Sequence, residues 1–292
     1  MTQQIVNGAF MGSIYALFAL GYTLVFGVLH QLNLAHQAVF MLGAVAGWVA
    51  VVTFGFPLWV GVVVAVVVGG LLGLLIERVA FAPLRSRPDD HFAGLISSIA
   101  LGIVLVALAL GTFGPDTVRF PREAFPRIGF QIGGATITLL QLSILAVAIT
   151  MMVALTWLVN RTRMGRALRA VAENERAARL LGIDVERVTM GTYVLSSALG
   201  ATAGILFALA FNTIRVEMGL AIELKGLAVI IVGGLGSLPG AMVGGLILGL
   251  AEVFTIAWIG SGWRDAVAFT LLFAILLLRP QGLFGKPKVR EV

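Results

Sequence analysis

Few residues of this chain are equipped for chemistry, and those few stand inside or beside long apolar runs. Glu252 lies within an apolar stretch. A charge there costs about 2.5–3.5 kcal/mol on insertion scales, so it must be paired across helices or face a cavity. Asn33-Leu34-Ala35-His36-Gln37 is a polar patch between the first two apolar runs. It faces water or dips into the bundle, and a buried His is most often a hydrogen-bonded structural residue. Glu217, Glu223, Lys225 and Asp265 fall near the outer ends of spans, where interfacial solvation, a pore mouth or a docking face would each suit them. The block Gly233-Gly234-Leu235-Gly236-Ser237-Leu238-Pro239-Gly240 interrupts a further apolar stretch. It reads either as a tight turn with close packing or as half-helix ends that offer N–H and C=O groups to a polar solute.

Signatures of catalysis are missing. No Gly-x-x-x-x-Gly-Lys-Ser/Thr occurs, so the chain has no loop of that kind to cradle nucleotide phosphates. There is no His-Glu-x-x-His and no Gly-x-Ser-x-Gly. The three histidines, His30, His36 and His91, have no cysteines or carboxylates spaced around them as zinc ligands. Cysteine is absent, which removes thiol nucleophiles and disulfides and leaves the redox compartment unread. No cofactor and no enzyme activity are expected, and energy for any active process must come from another polypeptide.

These residues must be held by elements that live in lipid. Of 292 residues, 59% are hydrophobic and 12% charged, about half the charged share of a soluble domain. Mean hydropathy is +1.03. The sequence pI of about 10.5 would suit nucleic acid, but the arginines sit in short segments between apolar runs, which is the pattern of a polytopic membrane protein. A nucleic-acid partner is excluded on that ground. About 20 apolar residues cross a bilayer as helix. Spans are expected near 5–29, 37–54, 57–76, 93–113, 137–159, 189–211 and 265–279. The stretch 222–258 is either two short spans or a hairpin of half-helices. The first charged residue is Glu77, so there is no positive leader region and the first apolar run is expected to stay as a helix.

Lys and Arg set the orientation. Arg78, Arg85 and Arg87, the seven arginines from Arg161 to Arg187, and Arg279, Lys286, Lys288 and Arg290 share one side, against Arg119, Arg122, Arg127, Arg215, Lys225 and Arg264 on the other. The richer side is expected to be cytoplasmic, giving an outside N-terminus and an inside C-terminus. Gly8/Gly12, Gly69/Gly73, Gly200/Gly204, Gly240/Gly244 and Gly245/Gly249 have the small-xxx-small spacing that lets helices approach closely in lipid.

The segment 160–188 is too polar to span and too regular for a slack loop. As one helix, it gathers Leu168, Val171, Ala178 and Leu181 on one side and sets Arg166, Arg169, Glu173 and Arg176 opposite, with Glu175 on the apolar side as an exception. Gly182 can take the left-handed conformation that ends a helix, with Ile183 and Val185 offering apolar contact beyond it. Such a helix lies on anionic headgroups, fits a groove in a partner, or is a solvated loop.

The run Gly165-Arg166-Ala167-Leu168-Arg169-Ala170-Val171-Ala172-Glu173-Asn174, followed by Ala177 and Leu181-Gly182-Ile183, resembles the cytoplasmic loop of the branched-chain amino acid ABC transporter permeases of the LivH type. Gly12-Ser13-Ile14-Tyr15-Ala16-Leu17 with Gly21 and Gly27 is similar to that family's first helix. Asn33-Leu34-Ala35-His36 with Phe40-Met41-Leu42-Gly43-Ala44 is similar to its second. The glycine block through Ala241, then Gly244-Gly245, Leu248-Gly249 and Glu252, and the closing Arg279-Pro280-Gln281-Gly282-Leu283-Phe284-Gly285, are family-like too. The blocks occur in order over nearly the whole chain.

The resemblance implies a single all-α transmembrane domain over 1–292, a polytopic bundle with a broken or re-entrant glycine-rich segment, in a bacterial inner membrane. Gly165, Arg166, Leu168, Arg169, Val171, Glu173, Asn174, Ala177, Leu181, Gly182 and Ile183 would form the element that docks on an ATPase. Asn33, His36, Gly233, Gly234, Gly236, Ser237, Pro239 and Glu252 would line or gate the path. Implied partners are a second homologous permease, two cytoplasmic ABC ATPase subunits, a periplasmic substrate-binding protein and the lipid bilayer. Leucine, isoleucine and valine are the default substrates, with urea, short amides, aromatic acids and other amino acids as alternatives. The rival class is an autonomous secondary carrier or channel, for which Glu252 and the broken segment would suit ion coupling.

Overall fold

The computed structural model describes residues 1–85, 90–121, 128–132 and 134–285. Arg87, Arg122, Arg127, Lys286, Lys288 and Arg290, which enter the charge asymmetry, lie outside the described residues, as does the side chain of His91. A backbone in lipid must satisfy its own N–H and C=O groups, so the apolar runs form helices. In chain order these are α1 (Thr2–Leu29), α2 (His36–Val52), α3 (Leu58–Ile76), α4 (Asp90–Phe113), α5 (Leu139–Arg161), α6 (Arg163–Glu173), α7 (Glu175–Leu180), α8 (Val185–Phe211), α9 (Met218–Gly233), α10 (Leu238–Trp258) and α11 (Arg264–Leu278). Among the described residues seven helical segments are long and apolar enough to cross a membrane, built on α1, α3, α4, α5, α8, α10 and α11; α2 is shorter. The bundle is the expected all-α polytopic one. The ambiguous stretch 222–258 resolves into the 16-residue α9 and the 21-residue α10, two separate helices joined by the glycine block.

α1 is the axis of the bundle. Every residue from Ile14 to Leu20 is at most 1% exposed, because α8, α9 and α10 surround it. The glycine spacings sit at these contacts. A Cβ on Gly12 would meet Gly245 O at 2.8 Å, and one on Gly245 would meet Ala16 N at 2.5 Å. Gly73 lies against Ser197 of α8, Gly204 against Phe40 of α2, and Gly244 against Val229 of α9. Larger side chains would force these backbones apart, and in lipid no hydrophobic gain would offset the lost packing.

Six of the helices form two matched sets, α1–α3 and α8–α10. α1 ends at His30, whose φ is +55°, and α8 ends at Asn212, whose φ is +47°. These are the two non-glycine residues with positive φ among those described. Each long helix is followed by six non-helical residues, 30–35 and 212–217, and then by a short helix, α2 of 17 residues or α9 of 16. A longer helix follows each. α3 packs on α8 as α10 packs on α1, and the two short helices touch across the middle. The leading helices run antiparallel: Phe10 and Met11 share a cavity with Phe211, and Val28 shares another with Thr189. The halves thus form an inverted repeat of the kind common in transporters. A trace survives in sequence, since Gly69-Gly70-Leu71-Leu72-Gly73-Leu74-Leu75-Ile76-Glu77 of α3 parallels Gly244-Gly245-Leu246-Ile247-Leu248-Gly249-Leu250-Ala251-Glu252 of α10.

The return segments explain the short helices. α2 starts beside Phe18 and Gly21 of α1, with the His36 ring 4.7 Å from that of Phe18. That is roughly two turns before the end of α1. Residues 31–35 therefore run back along the bundle, fixed by Leu34 N–H donating to Ser98 Oγ at 3.2 Å and Ala35 N–H to Asn33 Oδ1 at 3.2 Å. Two features went unforeseen. An antiparallel hairpin, β1 (Gly129–Ile132) with β2 (Ala135–Thr138), leads into α5. There Thr138 and Gln141 form a reciprocal capping box. The second feature is the π-helical turn Glu77–Phe81 that continues α3.

Candidate coupling segment and buried ion clusters

Between the end of α5 and the start of α8, the segment 160–188 folds as two helices, α6 and α7, rather than one. Thr162 Oγ1 accepts from Gly165 N–H at 3.1 Å and starts α6; Asn174 Oδ1 accepts from Ala177 N–H at 2.9 Å and starts α7. Asn174 is extended (φ −159°), so the single-helix wheel fails there. Leu168, Val171 and Ala178 are buried as expected. Leu181 is not: it is 80% exposed, and Leu180 beside it is 90% exposed. The break at Asn174 turns both outward. Gly182 has φ +81° and closes α7, with Ile183 N–H donating to Ala178 O at 3.0 Å and Gly182 N–H to Arg179 O at 3.0 Å. This is the Schellman pattern. Glu175, the misfit of the wheel, is exposed and pairs with Arg179 at 2.8 Å.

α6 is seated firmly. Gly165 is buried, and a Cβ there would strike the carbonyls of Leu158 and Val159 at the end of α5. Arg169 also donates to Val159 O. Leu168 and Val171 pack into the main core, where α6 meets α1, α5 and α8. Arg166, Glu173, Asn174 and Ala177 are exposed, and Ile183 is half-buried. Anchoring side chains thus face the bundle while Leu180, Leu181, Arg166 and Arg176 are exposed.

Glu252, 1% exposed, is the centre of an ion cluster. Its Oε2 accepts from Tyr15 Oη at 2.7 Å and from Arg264 Nε at 2.8 Å. Its Oε1 lies 2.6 Å from Lys225 Nζ, which lies 3.1 Å from Asp265 Oδ1. Arg264 also donates to Tyr15 Oη at 2.6 Å. Four helices, α1, α9, α10 and α11, meet in this one group. Lys225 is not solvated at an interface, as its position near the outer end of a span suggests, but buried at 6% exposure by this cluster. Glu223 is likewise buried rather than interfacial: it is 4% exposed and accepts from Tyr22 Oη at 2.5 Å. Glu217 is exposed, and the side chain of Asp265 is 68% exposed. The cluster borders a cavity of about 380 Å³ into which Glu252 and Arg264 both reach. Tyr15, Lys225 and Arg264 were not foreseen as partners of Glu252.

The other half carries a counterpart. Glu77, 2% exposed, pairs with Arg85 and with Arg78, 3.7 Å away. Arg85 lines a cavity of about 400 Å³ together with Arg179 of α7, Arg78 and Glu186. Glu77 and Glu252 thus stand at the last positions of the matched stretches 69–77 and 244–252, and the two lie at opposite ends of the bundle.

Of the remaining candidates His36, Asn33, Gly233 and Gly234 are buried, Ser237 is half-buried, and Gly236 and Pro239 are exposed. His36 is fully buried between Gly21 and Gly200, with Nε2 3.3 Å from Phe18 O and the ring 4.7 Å from that of Tyr22. Asn33 is 2% exposed. In the glycine block, Gly234 and Gly236 have φ of +102° and +80°, which favour glycine. Ser237 Oγ accepts from Gly240 N–H at 3.1 Å and starts α10, with Pro239 in its first turn. Gly233 lies against Gly240. The carbonyls of Val232 and Gly233 accept from Leu283 and Phe284 N–H, each at 2.9 Å. Those helix-end carbonyls are occupied by the chain's own C-terminal stretch, so the block is built as a tight joint.

A lipid-embedded inverted repeat with buried ion clusters and a well-seated polar segment at one end has the build of a membrane transport subunit. The chain belongs to the family of branched-chain amino acid transport system permease components, whose model matches residues 4–276. It is 38% identical over 301 residues to the high-affinity branched-chain amino acid transport system permease protein LivH of Escherichia coli K12, covering 99% of this chain and 97% of that one. It is 36% identical over 301 residues to the corresponding permease protein BraD of Pseudomonas aeruginosa, with the same coverage. A probable branched-chain amino acid transport permease protein LivH of Methanocaldococcus jannaschii is 28% identical over 299 residues, 97% of this chain and 92% of that one.

Proposed function

We propose that this chain is the permease subunit of an ABC importer for branched-chain amino acids, working with a second homologous permease, two ATPase subunits and a soluble substrate-binding protein. The observation that carries the coupling role is the two-sided seating of 163–183. Leu168, Val171 and Ala178 are buried against the bundle, while Leu180 and Leu181 stand exposed beside Arg176 and Arg179. Exposed leucines with exposed arginines close by in sequence suit an apolar groove with acidic groups beside it on a partner protein. A seated, doubly capped segment passes a displacement into α1, α5 and α8 instead of absorbing it. The end that carries this segment is cytoplasmic on this reading, and the Glu252 end faces the binding protein. Substrate class follows from the named relatives, and the translocation path is assigned to the interface with the second permease.

The test is reconstitution in proteoliposomes. Uptake of radiolabelled leucine should require the ATPases, the second permease, the binding protein and ATP on the coupling-segment side. Leucine uptake by this chain alone, driven by an ion gradient, would refute the assignment in favour of a secondary carrier.

A further inference from the structure

We infer that the cavity beside Glu252 is a binding site on the permease itself for a zwitterionic amino acid with an aliphatic side chain. This rests on the amino-acid importer reading and adds a substrate station that the reading does not require. Small-molecule sites are concave and mostly apolar, with a few placed polar groups. This cavity, of about 380 Å³, fits that description. Phe10, Met11, Val253 and Ile256 give it an apolar wall, and Glu252 and Arg264 give it a charged end. The side-chain amides of Gln4, Asn7 and Gln141 add neutral hydrogen-bonding groups.

The charged end carries one carboxylate and one guanidinium, joined at 2.8 Å. An α-amino acid carries the complementary pair on one carbon. Its ammonium can take the place of Arg264 at Glu252 while its carboxylate takes the place of Glu252 at Arg264. Each charge exchanges one partner for another of the same sign, so no buried charge is left alone. Lys225 and Tyr15 continue to hold Glu252 in position during the exchange. The side chain of Arg264 is 27% exposed, which gives it room to swing toward the cavity. A ligand with only the ammonium would displace Arg264 from its carboxylate and give it none in return, and one with only the carboxylate would bring an uncompensated negative charge to a cluster that sums to zero.

The pseudo-equivalent pair in the other half shows why one end is suited and the other is not. Glu77 and Arg85 also border a cavity, but Arg78, Arg179 and Glu186 stand around it where an aliphatic side chain would need an apolar wall. The ion pair recurs with the repeat, whereas the wall does not.

The experiment uses the permease pair with its ATPases, purified in detergent without the binding protein, and measures retention of tritiated L-leucine. Leucine should be retained and displaced by L-valine. It should not be displaced by 4-methylpentanoate, which lacks the ammonium, or by 3-methylbutylamine, which lacks the carboxylate. Arg264→Gln removes the carboxylate partner. Ala257→Phe fills the cavity from its lining without touching the ion cluster, which keeps the test open should the first variant fail to assemble. Each should weaken leucine retention by about tenfold or more. Unchanged retention in a monodisperse Ala257→Phe complex overturns the inference. So does displacement by 4-methylpentanoate as effective as by valine, or absence of retention in an importer that transports leucine. An importer that transports no aliphatic amino acid at all overturns the functional reading beneath it as well.

Discussion

Replacing Glu252 with Gln tests whether the four-helix ion cluster is structural. The side chain is 1% exposed, and its two oxygens hold Tyr15, Arg264 and Lys225 within 2.8 Å. Removing one partner of a buried pair costs about 3–5 kcal/mol, because the other charge stays buried without compensation. Gln retains the volume and can still accept from Tyr15 or Arg264, so the lower end, about 3 kcal/mol, applies. For a chain of this size that is a fall of about 5–10 °C in melting temperature. Glu252, Asp265, Lys225 and Arg264 sum to zero charge, and Glu252→Gln leaves one positive charge in excess. Adding Lys225→Met removes that excess, and the double variant should regain at least half of the loss. The assay is intrinsic-fluorescence melting of purified protein in detergent. Since the cluster is buried, the loss should persist in about 1 M salt. A single variant within about 1 °C of the parent, or a double variant melting no higher than the single, would show that the cluster does not hold the helices together.

The seating of α6 and α7 separates two kinds of leucine. Leu168→Ala, in the core, should lower stability by about 2–5 kcal/mol, whereas Leu180→Asp with Leu181→Asp should leave the melting temperature unchanged and abolish co-purification of the ATPases. The chain has no cysteine, so Leu180→Cys provides one labelling site. A membrane-impermeant maleimide should modify it in inverted vesicles and not in right-side-out cells; the reverse pattern reverses the orientation. Gly249→Leu would drive a side chain into the backbone of Gly12 and should prevent recovery of monodisperse protein while the helices still insert.

The sequence made the membrane class, most spans and the seat of α6 legible, because each follows from a local rule. Apolar run length fixes a span, and the spacing of Leu168 and Val171 fixes a buried helix face. What stayed hidden was non-local. Wheel geometry assumes one unbroken helix, and Asn174 breaks it by capping α7, so the wheel sets Leu181 on the wrong face. Lys225 and Glu223 read as interfacial because they stand near the start of a span. Their burial depends on where α9 begins relative to α1, which no window of residues records. The glycine block illustrates a partner supplied from far away in sequence, since the carbonyls of Val232 and Gly233 are satisfied by Leu283 and Phe284. One signal was available in principle. The matched stretches 69–77 and 244–252 each end in a glutamate within an apolar helix, and two such costly residues in register point to a repeat.

That repeat bears on how the two ends of the bundle can be linked. When two halves have the same build in opposite orientation, a rearrangement that opens one end is, with the roles of the halves exchanged, the one that opens the other. Here each half buries a carboxylate that ties neighbouring segments at its own end: Glu77 with Arg85, and Glu252 with Arg264, Lys225 and Tyr15. Both clusters are formed in this structure. On the transport reading they are opposing latches, and the Glu77–Arg85 latch borders a cavity shared with Arg179 of α7. Weakening one latch should therefore bias the resting protein toward opening at that end alone. Single cysteines at Met190 and at Ala257, each lining the cavity at one end, report this through their rates of maleimide modification in detergent. Arg85→Gln should speed labelling at position 190 and leave position 257 unchanged or slower, and Glu252→Gln should do the converse. Equal acceleration at both positions by either variant would mean general loosening of the bundle, and the latch argument would fail.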